Sequence, residues 1–174
     1  MHSFTHFITS LLIATLISLR YNVGLFEFLL AILSGTLIDL DHIYNYMRYH
    51  RNPKSLKDFI EKILEAYKQP PNKGIRYHTA AHELIGVFVF LLISILVGFL
   101  YSTTYALLIF LPILSHFLLD TLSIRMMPFS PFSKKEFYIG LLKPNSAQEK
   151  AFITILLAIT LLLLFLKMLT SMNH

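Results

Sequence analysis

The segment YALLIFLPILSHFLLDTL, residues 105–122, approaches the length of a bilayer span yet places His116 and Asp120 in its second half. In a helix, two residues four apart share one face and lie about 6 Å apart along the axis. A carboxylate left uncompensated among such neighbours costs kilocalories or takes up a proton. A divalent cation held by imidazole and carboxylate resolves that cost, and an interhelical hydrogen bond is the alternative.

The composition defines the surroundings of this pair. Hydrophobic residues make up 55% of the 174-residue chain, mean hydropathy is +0.62, and charged residues are only 14%. A soluble domain carries nearly a quarter charged residues, so these values indicate a membrane protein. Cysteine is absent, which excludes disulfides and thiolate ligands and leaves metal binding to His and carboxylate. The net charge of +5 is spread around apolar segments and is read as topology and headgroup contact, not as a nucleic-acid surface.

Four further apolar runs flank the first: FITSLLIATLISL (7–19), GLFEFLLAILSGTLI (24–38), LIGVFVFLLISILVGFL (84–100) and AFITILLAITLLLLFLKMLT (151–170). The chain is therefore expected to be a single all-α domain over residues 1–174, a polytopic helix bundle of about five spans. Residues 39–83 carry eight Lys or Arg and residues 123–150 carry five, whereas the other two connections contain only Arg20. The positive-inside rule places the two basic segments, with the amino terminus, on the cytoplasmic side. NPKSLKDFIEKILEAY (52–67) has apolar residues at helical spacing after Asn52 and Pro53, and is expected to form an amphipathic helix on that side. MMPFSPFSKK (126–135), with Pro128 and Pro131, is expected to be a rigid loop.

This topology gathers the unusual polar residues. His6 begins the first run; Asp39, Asp41 and His42 end the second; His78 and His82 precede the third; His116 and Asp120 approach the end of the fourth. All fall at the cytoplasmic ends of four different spans, where a bundle can bring them to one depth. Taken singly, Asp39 and Asp41 also fit the polar end of a span, and the His78/His82 pair is a short motif. His2, His50 and His174 lie at a terminus or in polar surroundings and are assigned to solvent.

These motifs resemble the predicted membrane-bound, metal-dependent hydrolases related to the LexA-regulated inner-membrane protein of bacteria. FTHF (Thr5, His6), DLDH (Asp39, Asp41, His42), RYHTAAHEL (His78, His82) and LSHFLLD (Ser115, His116, Asp120) occur in the family's order, and MPFSPFSKK echoes a later Trp-Pro-Phe element. The family spaces the histidines of its third motif five apart with Arg after the first. Here they are four apart and Arg76 precedes both, so the match to the family's second histidine falls on His82.

The resemblance implies a metal site more directly than a reaction. The expected ligands are His6, Asp39, Asp41, His78, His82, His116 and Asp120, holding one or two ions, Zn²⁺ or Mn²⁺. Asp41 and His42 are the candidate catalytic groups, Asp41 as bridge or base and His42 as ligand or orienting group. The expected activity is metal-dependent hydrolysis at the cytoplasmic membrane interface, on a phosphoester of a lipid or another amphiphile. A metal-ion transporter and a non-catalytic metal-binding scaffold are the alternatives.

Overall fold

The computed structural model describes residues 3–40, 83–133 and 135–172, together with Ser55, Lys57, Asp58, Ile60 and Glu61. Among these it contains five α-helices and no strand: α1 (Ser3–Ser18), α2 (Leu25–Thr36), α3 (Leu84–Leu100), α4 (Thr103–Ser123) and α5 (Ala147–Met172). A 3-10 turn, Leu37–Asp39, extends α2.

Most hydroxyl side chains within the apolar helices bond to their own helix; among the described residues Ser94 Oγ of α3 is an exception, buried with no partner. Thr9, Ser10 and Thr15 each donate to the carbonyl four residues back, at 2.9, 2.7 and 2.8 Å. Helix starts are held in the same economical way. The Gly24 N–H donates to the Glu27 carboxylate at 3.0 Å, and Ser102 Oγ accepts from Tyr105 N at 3.4 Å. Tyr105 Oη also donates to Glu27 at 2.9 Å, tying the starts of α2 and α4 together.

Helix α4 packs on α1, α2 and α3, while α1 packs on α2, α4 and α5. One core cluster joins Ala14 and Ile17 of α1, Ala31 of α2 and Leu108 of α4, with Val23 from the α1–α2 connection. A second joins Val87, Phe117 and Met126. The fully buried set is rich in small or hydroxylated residues, including Thr5, Ser10, Thr15 and Ser94. Large apolar side chains point outward instead: Leu92, Ile95 and Phe99 on α3, and Leu161, Leu162 and Phe165 on α5. Small residues inside and large apolar residues outside is the distribution expected of helices packed in lipid.

The expectation of five spans is corrected in part. Two helices, α4 and α5, are long and apolar enough to cross a membrane. Helices α1, α2 and α3 have 16, 12 and 17 residues, about 24, 18 and 26 Å at an α-helical rise. Each is shorter than a hydrocarbon core of about 30 Å. The amphipathic helix expected over 52–67 falls largely outside the described residues. Within it, Lys57, Asp58, Ile60 and Glu61 are helical, Asp58 N donates to Ser55 Oγ at 3.1 Å, and Lys57 lies 3.9 Å from Glu61.

Candidate metal centre

Three helices bring the cluster together. His6 ends the first turn of α1, Asp39 closes the 3-10 turn after α2, and His116 and Asp120 lie one turn apart on α4. One ligand atom from each residue lies within 4.8 Å of those of the other three. His6, His116 and Asp120 are each only 1% exposed. Asp39 is half-buried, so among the described residues the cluster opens on its side.

The distances suit a shared cation. His6 Nε2 lies 3.2 Å from Asp120 Oδ1, and His116 Nε2 lies 3.4 Å from both Asp120 Oδ2 and Asp39 Oδ1. In a tetrahedral zinc site with bonds of about 2.0–2.1 Å, neighbouring donor atoms are about 3.3–3.4 Å apart. The two imidazoles stack, with centroids 3.6 Å apart and planes inclined by 14°. Asp120 thus offers one carboxylate oxygen to each ring.

Hydrogen bonding gives the imidazoles a preferred state. His116 Nδ1 lies 2.6 Å from the Gly35 carbonyl, an acceptor only, so Nδ1 carries the proton and donates it. In the neutral ring this leaves the Nε2 lone pair facing two carboxylates, an arrangement that needs a proton or a cation between them. Among the described residues, both ring nitrogens of His6 are buried without a hydrogen-bond partner. Its 3.2 Å approach to Asp120 lacks the alignment of a hydrogen bond. Protonating His116 alone would leave His6 unsatisfied, whereas one divalent cation would serve all four side chains. Two imidazoles and two carboxylates are a borderline donor set that fits Zn²⁺ or Mn²⁺.

The supporting contacts explain why these helices meet here. A Cβ on Gly35 would run into the Ser10 hydroxyl and stand 3.1 Å from Pro112 Cβ, so its absence permits α1, α2 and α4 to converge. The same residue supplies the carbonyl that orients His116. Beside His6, Thr5 Oγ1 donates to Glu149 Oε1 at 2.9 Å, while Asn145 N donates to Glu149 Oε2 at 2.7 Å. Ser146 Oγ accepts from Glu149 N at 3.2 Å, which caps α5. Glu149 is fully buried and fixes the start of α5 to the turn of α1 that carries His6.

Of the residues expected from sequence, the structure unites His6, Asp39, His116 and Asp120. Asp41, His42, His78 and His82 lie outside the described residues. Sequence reasoning missed Gly35 and Glu149. The only local signal for Glu149 is SAQE (146–149), a Ser-x-x-Glu capping pattern before an apolar run. For Gly35, a small residue one turn before Asp39 was the available hint.

Fold and cluster together define a helical membrane protein with a buried His/Asp group able to hold a metal ion. The chain belongs to the YdjM inner membrane protein family, whose family model matches residues 1–173. No curated protein and no solved structure matches it.

Proposed function

We propose that the protein is a metal-dependent hydrolase acting at the cytoplasmic face of the membrane on a phosphoester of a lipid or other amphiphile. The observation that carries this reading is the buried His6/Asp39/His116/Asp120 cluster, in which, among the described residues, the His6 nitrogens have no hydrogen bond and two carboxylates face His116 Nε2. His6, Asp39, His116 and Asp120 would hold the ion, with Zn²⁺ preferred. A bound cation supplies Lewis-acid polarisation of a phosphoryl oxygen and acidifies water.

The chain's own residues organise the rest. Gly35 holds the His116 ring through Nδ1, Asp120 serves both imidazoles, and Glu149 positions the turn bearing His6. Asp41 follows Asp39 by one residue and is assigned as bridging ligand or general base, with His42, His78 and His82 as further ligands or orienting groups. Because Asp120 presents separate oxygens to two imidazoles, it suits a site of either one or two ions.

In this reading the three shorter helices also span, giving five, with α1, α2 and α3 accommodated by local thinning of the bilayer. Basic residues concentrated in 39–83 and 123–150 support a cytoplasmic cluster. A single cysteine at Ser133, in a chain with none of its own, should stay unlabelled by an impermeant thiol reagent in intact cells and react after lysis. Labelling in intact cells reverses the orientation.

The activity test uses full-length protein loaded with Zn²⁺ or Mn²⁺ in mixed micelles with phospholipids, isoprenoid phosphates and a generic phosphodiester. Wild type should release phosphate or headgroup, and D41A should lose kcat more than apparent substrate binding. Metal-loaded, folded protein that releases neither rules against phosphoester cleavage.

A further inference from the structure

The connection after α4 is fastened down along its length. Met126 and Phe137 exchange backbone hydrogen bonds at 3.0 and 2.8 Å. Ile139 N and Leu142 N donate to the Thr121 and Leu122 carbonyls, and Leu84 N donates to the Pro128 carbonyl at 2.9 Å. Residues 124–133 and 135–143 therefore form a platform attached to the last turn of α4, immediately after Asp120, and to the first residue of α3. Met126 faces inward, against Val87 and Phe117.

The outward side of this platform is apolar and aromatic. Phe129, Phe132, Tyr138 and Leu141 are exposed, Phe132 by 88%. Gly140 has φ +72°, and a Cβ there would stand 2.8 Å from the Tyr138 ring, so glycine permits the turn between Tyr138 and Leu141. Exposed Arg125, Lys135 and Lys143 are interleaved with these groups. The one acidic residue among them, Glu136, lies 3.6 Å from Arg125. At the junction with α3, Leu84 and Ile85 are also exposed, so the apolar surface continues onto a helix that faces lipid.

We propose that residues 124–133 and 135–143 are an interfacial anchor seated in the headgroup layer of an anionic bilayer. Phe129, Phe132, Tyr138 and Leu141 enter below the headgroups, while Arg125, Lys135 and Lys143 meet lipid phosphates. The occupant is a lipid surface because cations alternate with large apolar groups on a segment pinned to the bundle by the backbone bonds of Met126, Pro128, Phe137, Ile139 and Leu142. Since the platform starts four residues after Asp120 and is bonded to the last turn of α4, it holds the metal cluster's end of the bundle at headgroup depth. The inference rests on the membrane-embedded reading, and not on metal binding or hydrolysis.

The chain has no tryptophan, so F132W and L141W are each a unique reporter. Full-length variants are reconstituted into vesicles of phosphatidylcholine, alone or mixed with phosphatidylglycerol, brominated at shallow or deep acyl positions. Both indoles should show blue-shifted emission and lose most of it to shallow bromines, less to deep ones, with greater loss when phosphatidylglycerol is present. K135E combined with K143E should abolish the phosphatidylglycerol dependence. Indoles in both variants that ignore brominated lipid and are quenched by aqueous iodide overturn the anchor. Equal quenching with and without phosphatidylglycerol overturns its anionic preference. F165W on α5 tests embedding separately: deep quenching is expected, and its absence removes the membrane reading itself.

Discussion

Helices α4 and α5 are both long and apolar enough to cross a membrane, but they meet different surroundings. Half of α4's apolar window is buried within the protein, against 6% for α5. Helix α4 turns Leu108, Pro112, His116 and Asp120 inward, whereas α5 buries Glu149 near its start and Thr160 in its middle. Hydropathy alone would rank α5 as the better span and say nothing more. Lipid offers no hydrophobic reward for bringing helices together, so polar side chains and small residues decide which helix becomes central.

The largest effect should come from α4's polar pair. H116A and D120A should each lose the divalent ion retained by purified wild type, as measured by elemental analysis for Zn, Mn and Fe. Mutating outer partners of metal ligands weakens affinity by about 10–100-fold, and losing a ligand should exceed that. Metal content unchanged in both variants would remove the distinction between the two helices as far as function is concerned.

Gly35→Ala should come next. Its Cβ meets Ser10 and Pro112 where α1, α2 and α4 converge, and such overpacking costs about 1–3 kcal/mol. Thermal unfolding in detergent should show that loss together with weakened metal retention, and S10A in the same chain should restore part of both. Full stability of G35A would mean that the helices do not approach as closely as α4's central role requires.

Glu149 sharpens the comparison from α5's side. E149A strands the Thr5 hydroxyl and the Asn145 N–H, a loss of about 1–3 kcal/mol, and should lower metal affinity through His6 while leaving all four candidate ligands in place. Leu162→Ala, on α5's outward face, should cost less than about 0.5 kcal/mol and leave metal content unchanged. If E149A behaves like L162A, α5 is an outer helix throughout and contributes nothing to the site.

The sequence by itself determined that the chain is helical and membrane-embedded, because hydropathy is a sum over local residues and needs no partner. It also singled out His6, Asp39, His116 and Asp120, together with Asp41, His42, His78 and His82, which lie outside the described residues, since a charge or imidazole beside long apolar runs is conspicuous wherever the chain goes. Span number was less legible: apolar runs of similar appearance become helices of unequal length once Gly24, the 3-10 turn at Leu37–Asp39 and the α3–α4 turn set their ends. Only the tertiary structure decided that Gly35 would be both the contact point of three helices and the acceptor for His116, and that Glu149 would reach Thr5 across 144 residues of chain. Glycine and a capping glutamate are common in any sequence. Their roles here arise from which backbones approach one another, a property of helix packing that no local pattern encodes.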